Sequence, residues 1–148
     1  MSWELPAPFV LEIEVGAEHI DALGHANNTV YVGWMERCAW AHSQSLGLSI
    51  EDYSRLDRAM VVVRHEIDYL AAARQGERLQ LGTWIVASDG RLSMQRQFQL
   101  WRPADGAILL RARTRFACIE LSSGKPRRMP AEFIERYGRA LVALPAAE

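Results

Sequence analysis

The densest grouping of chemically capable side chains in this sequence is Asp21-Ala22-Leu23-Gly24-His25-Ala26-Asn27-Asn28-Thr29-Val30-Tyr31. A carboxylate, a permissive glycine, an imidazole and two carboxamides stand directly before a stretch with helical periodicity. Asn27 or Asn28 is a good N-cap, because an Asn side chain accepts a hydrogen bond from a first-turn N–H. Such a loop delivers Asp21 to the place where a helix N-terminus presents unpaired N–H groups. Those donors and the helix dipole favour developing negative charge. A carboxylate beside an oxyanion site is what hydrolysis of an ester or thioester needs. Asp21 would activate water or attack the carbonyl itself, and the N–H groups would hold the tetrahedral oxygen. Each contribution is worth about 10²–10⁴ in rate. On chemistry alone, a capped helix preceded by an Asx-turn accounts for the same residues.

The elements around this loop follow from periodicity. Phe9 to Val15 alternates as a half-buried strand, after an extended lead-in containing Pro6 and Pro8. Val30, Tyr31, Trp34, Met35, Cys38, Ala39, His42 and Leu46 recur at three- and four-residue spacing, which predicts one long amphipathic helix over 28–46. Gly47 sits where a left-handed cap would end it. From Ala59 to Leu121 the chain reads as four strands. The first has Val61, Val63, His65, Ile67 and Tyr69 on one face, and the second Leu79, Leu81, Thr83, Ile85 and Ala87. The third carries Leu92, Met94, Phe98 and Leu100, and the fourth Ile108, Leu110, Ala112, Thr114, Phe116 and Cys118. Asp89-Gly90 and Asp105-Gly106 are hairpin signals, so the last three strands form an antiparallel meander. Pro130 opens a short closing helix with Phe133, Ile134, Tyr137 and Leu141 on one side. One long helix cannot cover both faces of five strands, so the sheet should curl around it in an α+β arrangement.

Composition removes several function classes. The chain has 148 residues, with 17 Lys and Arg against 18 Asp and Glu and a net charge of −1. One domain over residues 1–148 is expected. No net-basic field is present to hold a long polyanion, so nucleic-acid binding is not expected. Cys38 and Cys118 are too few for a disulfide framework or a cysteine zinc site, and they fit a reduced, cytoplasmic protein. The opening residues have no basic segment followed by an apolar run, and no stretch is long and apolar enough to span a membrane. The four histidines lack the i, i+4 pairing of a metal site, so no metal is expected. A Gly-x-Ser-x-Gly elbow and a phosphate-binding glycine loop are both absent.

The segment from Asp21 to Tyr31 resembles the Asp-x-x-Gly-His-x-Asn-Asn-x-x-Tyr signature of hotdog-fold thioesterases, in the 4-hydroxybenzoyl-CoA and short-chain acyl-CoA thioesterase branch. Asp21, Gly24, His25, Asn27, Asn28 and Tyr31 all match. At average residue frequencies such a match arises by chance about once in a million chains of this size. Arg64 to Leu70 is similar to the family's second strand. Ser123-Gly124-Lys125-Pro126, with Met129-Pro130, resembles its last loop. The resemblance implies a five-stranded antiparallel sheet curled around one long central helix, with a short C-terminal helix. It implies an acyl-CoA thioesterase with Asp21 as catalytic carboxylate and the Asn28 backbone N–H as oxyanion donor. His25 and Asn27 would brace the loop or touch the acyl group. Tyr31 would pack near the thioester or simply join the core. His65 would be either a satisfied buried histidine or a pocket-lining residue.

Coenzyme A carries phosphates, and Arg91, Lys125, Arg127 and Arg128 are the basic clusters available to meet them. No separate cofactor is expected, since coenzyme A belongs to the substrate. The resemblance further implies a homodimer with its active sites at the interface, a tetramer of two dimers being common in the family. Glu36 lies too far along the helix to act with Asp21 in one subunit and reads as a structural or interface charge. Arg111, Arg113 and Arg115 share the outer face of the fourth long strand, as a solvated face or a surface for phosphate or a second copy. Two departures bear on substrate choice. His19 stands where an acidic residue often precedes the catalytic Asp, and Tyr69-Leu70-Ala71-Ala72-Ala73 replaces a usual Tyr-x-x-Pro-Ala. The alternatives to an acyl-CoA thioesterase are an acyl-carrier-protein thioesterase and a non-catalytic acyl-CoA-binding hotdog protein.

Overall fold

The structure is a computed structural model describing residues 3–145. Strand β1 (Phe9–Glu14) precedes a single 3-10 turn at Ala17–His19 and the long helix α1 (Asn28–Ser45). Helix α2 (Ile50–Leu56), strands β2 (Arg58–Tyr69), β3 (Arg78–Ser88), β4 (Ser93–Arg102) and β5 (Ala107–Glu120), and helix α3 (Ala131–Arg139) follow. The strands form one antiparallel sheet in the order β1-β3-β4-β5-β2. This is the hotdog arrangement expected from the sequence.

Helix α1 forms where its apolar stripe requires it. Tyr31, Trp34, Met35, Cys38 and His42 all face the sheet and are buried. Asn27 is the N-cap, accepting from the Thr29 N–H at 3.0 Å, and Gly47 is left-handed just past the end. The helix rests mainly on β1 and β3. Asp89 closes the β3–β4 hairpin by accepting three backbone N–H groups, from Arg91, Leu92 and Ser93. Those bonds, with Ser93 the strongest, hold its carboxyl down at about 2.

Four details depart from the periodic reading. Helix α2 went unassigned, although Ser49 and Asp52 cap it reciprocally: the Asp52 carboxylate accepts from the Ser49 N–H at 2.9 Å. A bulge between Val62 and Arg64 flips the parity of β2. Met60 and Val62 pair with the inward Cys118 and Phe116, so Val61 and Val63 do not share the face of His65, Ile67 and Tyr69. On α3, Phe133 and Tyr137 are buried, but Ile134 is about half exposed, as is Leu141 just beyond the helix. The lead-in is a packed element too. Trp3 sits edge-on to Trp84 and Trp101, and the Trp84 indole donates to the Pro6 carbonyl at 2.9 Å. A side chain at Gly82 would come within 2.7 Å of the Trp3 ring, so only glycine admits it. This covering buries Gln97 and Gln99 on the outer face of the sheet.

Candidate active site

The loop before α1 is pinned at several points. The Asp21 N–H donates to the His25 carbonyl at 2.9 Å, and the Gly24 N–H returns to the Asp21 carbonyl at 3.0 Å. Gly24 takes a φ of 78°, which lets the chain reverse within four residues. The Ala26 N–H bonds the Ala73 carbonyl at 2.8 Å, and the Asn27 N–H bonds the His19 carbonyl at 3.0 Å. The Ala73 N–H in turn donates to the Tyr31 hydroxyl at 3.1 Å. One residue, Ala73, therefore ties the loop to the first turn of the helix. Tyr31 is buried, and desolvation raises its hydroxyl above its ordinary pKa. Its position is that of a core brace at the helix start.

Within this frame Asp21 is half buried, and its Oδ1 accepts the Leu23 N–H at 2.9 Å. No further hydrogen bond is recorded to the carboxylate among the described residues, so Oδ2 is uncommitted. The first N–H of the helix, at Asn28, also has no acceptor among the described residues. The reason is local: the Asn27 side chain caps Thr29, and the Asn27 carbonyl takes the Val30 N–H. The Asn28 carbonyl accepts from the Tyr69 hydroxyl at 3.0 Å, fixing the end of β2 beside the helix start. His25 is partly buried with no side-chain hydrogen bond among the described residues. His19 is engaged elsewhere. Its Nδ1 accepts the Gly16 N–H at 2.9 Å, and its ring meets Trp34 edge-on.

The other candidates lie at a distance. Between α1 and the β2–β5–β4 side of the sheet is a mostly apolar cavity of about 460 Å³. That falls in the roughly 300–1,000 Å³ range of small-molecule sites. His65 and Glu36 line it, together with Met35, Phe98 and Phe116, whereas Asp21 and Asn28 do not. The His65 Nδ1 bonds Thr114 Oγ1 at 2.7 Å, and burial lowers its pKa against the opposing pull of Glu36. Two cavity residues were not foreseen. Glu36 was read as remote from the site, and Arg96 was passed over inside an otherwise apolar alternation. Position 96 falls on the inward face between Met94 and Phe98, so an arginine there was the available signal.

The basic residues gather around one loop. The Met129 N–H bonds the Arg91 carbonyl at 2.8 Å, and Arg58 Nε donates to the Arg128 carbonyl at 3.2 Å. Arg91, Lys125 and Arg128 are exposed, while Arg127 pairs with Glu120 at 2.9 Å. This loop flanks the Arg58 end of β2, and Asp21 flanks the Tyr69 end. The twelve-residue strand between them is about 36 Å end to end when extended. A single chain therefore does not bring the two sets together. Arg111, Arg113 and Arg115 are exposed on the outer face, where Arg113 donates to Gln97 at 3.1 Å and Arg111 pairs with Glu4. No group of three or more His, Cys, Asp or Glu among the described residues is arranged to hold a metal, and no helix there is long and apolar enough to cross a membrane.

A central helix wrapped by five antiparallel strands is shared with solved structures. One is a 1,4-dihydroxy-2-naphthoyl-CoA thioesterase from Synechocystis, with a TM-score of 0.80 and 21% identity over 89% of this chain and 96% of that one. Another is a hypothetical protein of Staphylococcus aureus solved in complex with CoA, with a TM-score of 0.84 and 16% identity over 100% of this chain and 94% of that one. In sequence, the long-chain acyl-CoA thioesterase FadM of Escherichia coli is 25% identical over 125 residues, 84% of this chain and 93% of that protein. The profile of the thioesterase-like superfamily matches residues 15–137. The chain belongs to that superfamily, and with it to the thioester hydrolases.

Proposed function

We propose that the chain hydrolyses acyl-CoA thioesters to the free acid and coenzyme A, with Asp21 as general base or nucleophile. The observation that supports this reading is that one short loop and the helix start it leads into carry both an uncommitted Asp21 oxygen and an uncommitted Asn28 N–H. As general base, Asp21 takes a proton from water while the water oxygen attacks the thioester carbonyl. The Asn28 N–H and the helix dipole receive the oxyanion. Collapse breaks the C–S bond, and the coenzyme A thiolate leaves and recovers the proton. As nucleophile, Asp21 attacks the carbonyl and expels the coenzyme A thiolate to give a mixed anhydride, which water then opens to the free acid and the Asp21 carboxylate, the released proton going to the thiolate. Neither route calls for a metal or a separate cofactor.

The site is completed by a second copy of the chain. β2 is an edge strand of twelve residues, and Val62, Val63, Tyr69 and Leu70 are about half exposed along it. An unpaired edge of this length, with apolar side chains exposed among its charged ones, invites pairing. Antiparallel pairing of β2 with its copy sets the Arg58 end of one chain beside the Tyr69 end of the other. Arg91, Lys125 and Arg128 of one subunit then meet the coenzyme A phosphates of a thioester held at Asp21 of its neighbour. His25 and Asn27 keep the loop in place, and the FadM likeness supports a coenzyme A thioester as substrate.

The test is free-thiol release from short, long and aromatic acyl-CoAs by wild type and Asp21→Asn. Wild type is expected to turn over part of the panel. The variant is expected to lose about a hundredfold or more with unchanged thermal unfolding and oligomeric state. Near-full activity in Asp21→Asn would refute the assignment of the base. No release by wild type from any member would move the reading to carrier-bound thioesters, and then to a binding protein.

A further inference from the structure

Arg96 on β4 is 1% exposed, and it is the one Lys, Arg, Asp or Glu among the described residues that is fully buried. A guanidinium does not lose its proton inside a protein, so it is charged there. A buried charge is costly unless an opposite charge meets it. Here every neighbour is neutral. Nη1 donates to His42 Nδ1 at 2.7 Å. Nη2 donates to Ser43 Oγ at 3.1 Å and, at the limit of a hydrogen bond, to the Ala39 carbonyl at 3.5 Å. The rings of Phe116 and Tyr137 lie 6.0 and 5.9 Å from the guanidinium carbon. His42 is held neutral, its pKa pushed down to about 4 by burial and by Arg96 itself. No carboxylate pairs with Arg96 among the described residues.

This charge lies on the wall of the apolar cavity. The cavity's rim carries the exposed Glu36, Val62 and Leu121, and its buried parts include Met94, Phe98 and Tyr137. Ser43 and Tyr137, hydrogen-bonded to each other at 2.9 Å, fix the surroundings of the guanidinium. Arg96 thus sets a full positive charge in the wall of the chamber, among methionine and aromatic side chains. An aliphatic acyl group ending in a methyl would leave that charge unanswered. A terminal carboxylate would answer it and replace the weak bond to Ala39 with a charge-assisted one.

We propose that this cavity is the acyl chamber, that it receives acyl groups with a carboxylate at the end remote from the thioester, and that Arg96 is the residue that selects them. The substrate class is then the monothioesters of dicarboxylic acids with coenzyme A. This rests on the thioesterase reading and narrows it. It is a specificity role, separate from the bond-breaking step at Asp21.

The experiment compares length-matched pairs: adipyl, suberyl, sebacyl and hexadecanedioyl-CoA against hexanoyl, octanoyl, decanoyl and palmitoyl-CoA. The readout is the ratio of kcat/KM within each pair. Wild type is expected to favour the carboxylate-ended member by about tenfold or more at the length that reaches Arg96. Arg96→Met is expected to cut that ratio by about tenfold or more, and Arg96→Lys to retain part of it. A purely structural role for Arg96 would alter all members alike and leave the ratio unmoved. A wild-type preference for the methyl-ended member at every length overturns the proposal, whether or not Arg96→Met folds. If wild type releases no thiol at all, the thioesterase reading fails separately. Calorimetric binding of suberyl-CoA against octanoyl-CoA, and of the other pairs, then decides the inference. Tighter binding of a carboxylate-ended member that is lost in Arg96→Met supports it, and equal binding throughout overturns it.

Discussion

Acidification from about pH 7 to about pH 5 should destabilise this protein chiefly through His42. Its ordinary pKa of 6.5 is pushed down to about 4 in the folded chain, first by burial and second by the Arg96 charge. Between those values the unfolded chain binds a proton that the folded one does not. Stability therefore rises with pH across that window: it is complete above about pH 6.5 and is lost as pH falls toward about 4. With these two values, the loss from pH 7 to pH 5 is about 2 kcal/mol. For a chain of this size that lowers Tm by about 4–8 °C. His65, also shifted down by burial, adds to the loss with the same sign. The assay is urea unfolding at the two pH values for wild type and His42→Gln, which keeps a neutral acceptor for Arg96. Most carboxylates stay ionised over this range, so they contribute little to the difference. His42→Gln is expected to lose about 2 kcal/mol less than wild type on acidification. An equal loss in both proteins would refute the account of a neutral histidine held beside a buried guanidinium.

Tyr31→Phe removes the acceptor of the Ala73 N–H and leaves a buried donor unpaired. A loss of about 1–3 kcal/mol is expected in denaturant unfolding, with a fall in thiol release because the carbonyl of the same residue, Ala73, pins the Asp21 loop. Replacing Arg91, Lys125 and Arg128 together with Ser should raise KM for an acyl-CoA more than it lowers kcat. It should also weaken the dependence of KM on salt, read from rates at increasing ionic strength. Val63→Asp on the β2 edge should shift the protein to monomer in sedimentation and abolish thiol release, if the basic loop acts on the neighbouring subunit's site.

How far the sequence carried depended on the range of the forces involved. Local signals were dependable. The three- and four-residue spacing from Val30 to Leu46 marked α1, and Asp89-Gly90 and Asp105-Gly106 marked the hairpins. The Asp21–Tyr31 signature singled out a loop that does precede a capped helix with a free first N–H. Each is written in neighbouring residues, through backbone preferences and caps. The Val62–Arg64 bulge was not legible, because an extra residue in one strand is defined only against its partner. The hold of Glu4 on Gln97 and Gln99 was equally hidden, since it joins residues about ninety positions apart. The same holds for the buried Arg96: its strand position was readable, but its neutral surroundings come from α1, β5 and α3. By itself the sequence determined the fold class, the central helix and the residues that could do the chemistry. Tertiary structure alone decided which of them share a space, leaving the basic loop at the far end of β2 from Asp21 and setting a lone positive charge in the wall of the apolar cavity. Burial and charge pairing are properties of packed surfaces, and those surfaces exist only once distant segments have met.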